Sequence, residues 1–246
     1  MKLYENVVIG NFLFALGFHT HRVAPASGTL PVMINLLQQT PEDKNLGDVL
    51  LQLPGTVRLL EFKARSGRKR KERQRQAQLA TALSGDNQHL EAVSRAIHWY
   101  LESDIKPGSG SPSLAKCLFV AYLDAFNKAK AAHTSLEDIA SAMADEGADP
   151  AAAIEPSLVG NYLSLVRLTV GNGETGAGGI VINCSANGLA FAELTDVADL
   201  KLSHRAWIQK CEIERGRALS MVHEHDQQKQ EQKQKQIAIP SQEAGR

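Results

Sequence analysis

The chain has 246 residues, 43% hydrophobic and 22% charged, and its 27 basic side chains balance 27 acidic ones for a formal net charge of zero. That length suits one domain with additions, or one domain plus a small second one. Zero net charge argues against a general, whole-surface nucleic-acid binder, and no stretch approaches the ~20 apolar residues of a membrane span. Cys117, Cys184 and Cys211 are odd in number and widely spaced, so they form neither a disulfide framework nor a zinc pattern. A reduced, cytoplasmic setting is the expectation.

Residues 4–16 read as a first helix, apolar over most of its surface and therefore a core element. The apolar segment 7–18 is not read as a signal peptide, because Met1-Lys2 is a meagre basic region, Asn11 interrupts the run and no small-residue cleavage site follows cleanly. His19-Thr20-His21-Arg22 reads as a loop, where a lone His-x-His is not read as a metal site and could contact a phosphate. Residues 30–37 read as a first strand, although their pattern also fits a helix.

The next segment carries the chemistry. Leu50, Leu51 and Leu53 form one apolar run, and Val57, Leu59, Leu60 and Phe62 form another, with Pro54-Gly55 between them. Pro-Gly reverses a chain, so strands near 46–53 and 56–64 make a β-hairpin. Pro-Gly favours a type II turn, which fits a tight hairpin poorly, and a longer loop with the same centre is predicted. A turn centred there sets Asp48 opposite Glu61, with Cβ atoms roughly 4.5–5.5 Å apart. Glu61 and Lys63 share a side while Phe62 points away. Two facing acids repel and call for a compensating cation, for which Mg²⁺ or Mn²⁺ suits paired carboxylates. Lys63 would then stabilise developing negative charge or orient an attacking water.

An Asp, a short hairpin and then Glu-x-Lys at the end of an apolar strand resembles the PD-(D/E)xK phosphodiesterase superfamily. The resemblance covers roughly the first half of the chain, and Gly47 stands where the family's motif has Pro. It implies an α/β fold with a restriction-endonuclease-like core, a central mixed sheet flanked by helices. It implies Asp48 and Glu61 as ligands of Mg²⁺ or Mn²⁺ and Lys63 as the catalytic lysine. Some members add an acid from the first helix, which makes Glu5 a further candidate ligand. RecB-like relatives place a Gln on the helix after the lysine strand, and Gln78 matches it, with no Tyr following at helical spacing. Three Glu-x-Lys tripeptides occur, but those at 42–44 and 231–233 lie in polar segments, so the one at 61–63 is singled out.

Directly after the lysine come Arg65, Arg68, Lys69, Arg70, Lys71, Arg73 and Arg75, opposed by Glu72 alone. Such a run at the start of a helix suits backbone phosphates of nucleic acid, DNA ahead of RNA. Residues 90–101, with His98, Trp99 and Tyr100, read as another amphipathic helix. A Pro/Gly/Ser-rich loop at 106–113, a strand at 118–123 and a helix capped by Ser135 follow. The glycine-rich stretch 171–179 lacks the Lys-Ser/Thr ending of a phosphate loop and reads as a hairpin loop between apolar segments 162–170 and 180–184. Residues 189–194 add a strand, and these pieces read as a small β element touching substrate or partner. A long helix from Ser203 fades into a polar tract near 227–235, with His223 and His225 in it.

The domain reading is a nuclease-like core at 1–130, an α/β extension at 131–222 that also fits as part of the same domain, and a polar, disordered tail at 223–246. The functional expectation is a metal-dependent nuclease, within a bacterial defence or mobile-element system and with a protein partner in a multi-subunit assembly. The alternative is an inactive nucleic-acid-binding or assembly subunit of the same fold.

Overall fold

The structure, a computed structural model, describes residues 4–23, 30–36, 48–53, 55–64, 69–103, 116–170, 179–185, 188–194 and 213. Helix α1 (Glu5–Val23) opens the chain, followed by strands β1 (Leu30–Leu36), β2 (Val49–Leu53) and β3 (Thr56–Ala64). Helix α2 (Arg70–Ala82), a 3₁₀ turn and helix α3 (Glu91–Ile97) lead to β4 (His98–Ser103) and β5 (Lys116–Ala121). Short 3₁₀ turns connect to β6 (His133–Ser135), then come α4 (Leu136–Ala148), α5 (Pro156–Val170), β7 (Gly179–Ser185) and β8 (Gly188–Leu194).

All eight strands join one sheet in the order β6-β5-β4-β3-β2-β1-β7-β8. β3 and β4 are parallel and the remaining pairs antiparallel, so the fold is α/β with a mixed sheet and flanking helices. The parallel pair is made possible by the crossover through α2 and α3. Strand alternation then divides the side chains between two faces. Leu50, Leu59, Tyr100 and Val120 pack under Leu79, Val93, Ile97, Val159 and Tyr162 of α2, α3 and α5. Val49, Leu51, Leu60, Phe62 and Leu101 pack under α1 and α4, through Val8, Ile9, Phe12, Leu16, Ile139 and Met143. The Phe62 ring meets Phe12 at 5.6 Å between centroids. Burying such a side chain stabilises by about 1.5–3 kcal/mol, so the Phe between Glu61 and Lys63 anchors its strand from behind.

Several sequence expectations need correction. The segment 19–22 is the last turn of α1, where His21 and Arg22 suit the helix C-terminus. His19 is buried there and reaches Glu137 of α4 at 4.0 Å. The helix expected over 90–101 ends at Ile97, and His98-Trp-Tyr-Leu is a central strand. Aromatic side chains favour a pleated surface, and pairing with both β3 and β5 outweighs the apolar helical spacing. Residues 162–170 belong to helix α5 and form no hairpin with β7, which pairs with β1 and β8. The segments 106–113 and 171–178, and the tail beyond 194 except Ile213, lie outside the described residues.

The β2–β3 turn is also tighter than expected. Leu53 pairs with Thr56, leaving only Pro54 and Gly55 as the connection. A tertiary contact fixes it: Gly55 N–H donates to the Gly147 carbonyl at 2.9 Å, at the end of α4. A Cβ on Gly55 would fall inside 3.0 Å of the Asp149 and Glu146 carbonyls, so this position needs glycine for close approach. Gly55→Ala should cost about 2–3 kcal/mol in urea unfolding, since backbone must move to admit the methyl.

Candidate active site

The tight turn sets the register on which the site depends. Val49 pairs with Leu60 and Leu50 with Leu59, which continues to Asp48 opposite Glu61, as the sequence predicts. Asp48 N–H donates to the Leu60 carbonyl at 3.0 Å, and Asp48 Oδ2 accepts from Phe62 N–H at 2.6 Å. The Asp48 carboxylate is thereby locked onto β3. Glu61 and Lys63 project from the face covered by α2, at the carboxyl end of the parallel pair β3–β4, where open α/β sheets place their ligands.

The Lys63 ammonium forms an ion pair with Glu61 Oε1 and donates to the Phe62 carbonyl at 3.0 Å. It lies 3.8 Å from Asp48 Oδ2 and 3.8 Å from Glu72 Oε2. Glu72 comes from the first turn of α2 and, with Leu79 one heptad on, is buried on the stripe facing the sheet. Its Oε1 accepts a hydrogen bond from the Tyr122 hydroxyl, and Arg75 Nη1 stands 3.8 Å from its Oε2. Asp48, Glu61 and Glu72 are 5%, 3% and 3% exposed, so three buried carboxylates share one half-buried lysine.

The electrostatics follow from that excess. Burial, then the Asp48 carboxylate, push Glu61 well above the usual range; Lys63 opposes this, and Glu72 adds to it. Burial works against the Lys63 ammonium, but Glu61, Asp48 and Glu72 outweigh it, so its pKa is raised and it remains charged. Burial and the adjacent Glu72 raise the Tyr122 phenol, keeping it a donor.

A second layer fixes Tyr122. Its ring stacks on His98 at 4.1 Å and 3°. His98 Nδ1 accepts from the Tyr162 hydroxyl at 2.7 Å, and that hydroxyl accepts from Ser94 Oγ at 2.9 Å. Burial drives His98 down to about 3, so its ring is neutral and can accept.

The other predicted residues fall into three groups. Glu5 Oε1 accepts from Ala64 N–H at 3.2 Å, tying α1 to the end of β3. Lys69 is bound to Glu102 at 2.5 and 2.6 Å, and Glu102 also accepts from Tyr100 at 3.1 Å. Arg70, Lys71 and Arg73 are exposed on α2, with the Arg73 guanidinium 4.8 Å over the Phe126 ring. Gln78 is exposed, whereas Gln76 turns inward and donates to the Leu123 carbonyl at 2.5 Å. Arg65, Arg68, His223 and His225 lie outside the described residues, as do the Glu-x-Lys copies at 42–44 and 231–233. Sequence reasoning missed Glu72 and Tyr122. The signal for Glu72 was its position, a lone acid one heptad before the core Leu79 of a basic helix.

Among the described residues, no group of three or more His, Cys, Asp or Glu side chains is placed to hold a metal ion. The set on offer is Asp48 and Glu61 with the Phe62 carbonyl, and a cationic group, the Lys63 ammonium, already sits among those oxygens. Two carboxylates, with the other positions left to water and phosphate, is the shell that Mg²⁺ favours, so the residues fit. No family model, curated protein or solved structure matches the chain.

The raised Glu61 pKa gives a test of the charge excess. Above the ordinary carboxylate range the unfolded chain loses this proton while the folded chain keeps it, so stability falls as pH rises through that window. Glu61→Gln should therefore raise the melting temperature at pH 8 by a few degrees, on the order of 1 kcal/mol. The gain should shrink towards pH 4, as a series of thermal melts would show.

Proposed function

We propose that the protein is a metal-dependent nuclease that hydrolyses phosphodiester bonds in nucleic acid, DNA ahead of RNA, and that its sheet is a restriction-endonuclease-like core. The observation that carries this reading is the convergence of Asp48, Glu61 and Lys63 at the carboxyl end of β3. Asp48 and Glu61 would hold Mg²⁺ or Mn²⁺. When bound, that ion lowers the pKa of a water and neutralises charge on the phosphate.

The remaining work falls to the chain itself. Phe62 N–H fixes Asp48, so one donor to the cation is pre-oriented by the backbone. Lys63 keeps its charge and can donate to a phosphate oxygen or orient the water. Arg70, Lys71 and Arg73, exposed on the helix that also delivers Glu72, supply positive charge for phosphates flanking the cleaved bond. The setting belongs to the same reading, cytoplasmic and reducing, with Cys117 buried in the core, and no helix among the described residues is long and apolar enough to cross a membrane. Work within a bacterial defence or mobile-element system, alongside a protein partner, belongs to the same reading.

One observation favours a second reading. Lys63 pairs with Glu61 and approaches Asp48, so the cluster is partly self-neutralised without metal. An assembly or nucleic-acid-binding subunit without catalysis would need no more than that.

Asp48→Ala and Lys63→Ala should each abolish Mn²⁺-dependent cleavage of a plasmid and a labelled oligonucleotide while leaving the circular dichroism spectrum folded. Full cleavage by both variants excludes the proposal; no Mn²⁺ heat in calorimetry, with DNA binding intact, selects the second reading. Replacing Arg70, Lys71 and Arg73 together with Gln should reduce the slope of log affinity against log salt by about 2–3, from the loss of that many phosphate contacts.

A further inference from the structure

Glu72 is a third buried carboxylate in a cluster where two suffice for a divalent cation, and its charge pushes Glu61 further from ionising. Burying an ion costs several kcal/mol unless its partners compensate. Its placement indicates what it gives in return.

Glu72 is held from the helix side, and its carboxylate also lies within hydrogen-bond reach of Glu61. Tyr122 holds one oxygen and is itself stacked on the buried His98, and the first turn of α2 sets the backbone. The other oxygen lies 3.8 Å from the Lys63 ammonium. Lys63 therefore has carboxylates from two layers, one pair on the strands and one on the helix. A divalent cation entering between Asp48 and Glu61 would meet the ammonium there, and two positive charges at contact distance repel strongly in a buried site. A lysine side chain can swing by torsions alone, whereas Asp48 is tied to a backbone N–H and Glu72 to a tyrosine.

On the metal-site reading above, we propose that Glu72 is the seat that receives Lys63 when a divalent cation displaces it from Asp48 and Glu61. Glu72, anchored by Tyr122, is then a positioning residue. It lowers the cost of vacating the metal site and leaves the ammonium beside the cation, where a phosphate would lie. A divalent cation and Lys63 thus compete for two carboxylates, and Glu72 tips the competition towards the cation.

The test is a double-mutant cycle on Mn²⁺ affinity, read by calorimetry on the full chain without nucleic acid, combining Glu72→Gln with Lys63→Met. Glu72→Gln keeps the shape and an acceptor for Tyr122 while removing the charge. Alone, it should weaken Mn²⁺ binding about tenfold, and Tyr122→Phe should do so by a smaller factor. In the Lys63→Met background, where no ammonium needs a seat, Glu72→Gln should change affinity less than about twofold. Equal losses in both backgrounds, or no loss in either, would overturn the assignment while leaving the metal site standing. Absence of Mn²⁺ binding to the unsubstituted chain overturns both. Thermal melts of each variant establish that it is folded, and Tyr122→Phe tests the anchor if Glu72→Gln does not fold.

Discussion

Everything about the candidate site turns on one half-buried lysine set among three buried carboxylates. An ion pair out of water gains Coulomb energy but loses hydration, and balance requires that every charge have partners. Here Lys63 supplies one positive charge inside the cluster and Arg75 approaches Glu72 from its edge, so in the ion pairs among the described residues three acids meet two bases. A cluster built for stability alone would drop an acid. Burial first, and then the neighbouring Asp48 carboxylate, push the Glu61 pKa upward, in keeping with that excess.

Holding the excess in place takes both layers of the molecule. Phe62 and Leu60 are buried against α1 and α4, so the intervening Glu61 must face α2. The Gly55 turn, pressed against the end of α4, prevents a one-residue slip that would carry Asp48 to the wrong face. The helix layer on the other side then closes over the charges. Leu79 buries the stripe of α2 that carries Glu72, and the Ser94–Tyr162–His98 chain fixes the ring against which Tyr122 leans. A neutral histidine serves this purpose because it accepts a hydrogen bond from the Tyr162 hydroxyl without adding another charge.

How much of this was legible in the sequence depended on range. The hairpin register was legible because it rests on a local turn and a period of two, and the structure keeps Asp48 opposite Glu61. The tightness of the turn was not, since α4 imposes it from a distant part of the chain. His98, Trp99 and Tyr100 looked helical because Leu90, Val93 and Ile97 repeat at helical spacing up to that point, and only the pairing with β3 and β5 reveals the change. Residues 162–170 were misjudged for a related reason. An apolar helix over a sheet and a buried strand share composition, and the glycines that follow suggested a hairpin. Glu72 was hidden by its neighbours, since a charge run reads as solvent-facing until the helix is docked and one residue is seen to point inward.

The basic helix therefore has two faces with separate duties. Arg70, Lys71 and Arg73 look to solvent, whereas Glu72 and Leu79 look to the sheet, and Lys69 is held by Glu102 of β4. Docking α2 through Leu79 thus delivers a carboxylate inward and cations outward in one step. The cations lie near the buried acids without neutralising them, which preserves the negative charge that a metal ion would need and the positive surface that a phosphate backbone would need. Backbone N–H, a tyrosine and strand pairing hold the three carboxylates, while Lys63 hangs on four methylenes. Change at this site is therefore easiest through the lysine, and its position among the carboxylates is the variable to follow.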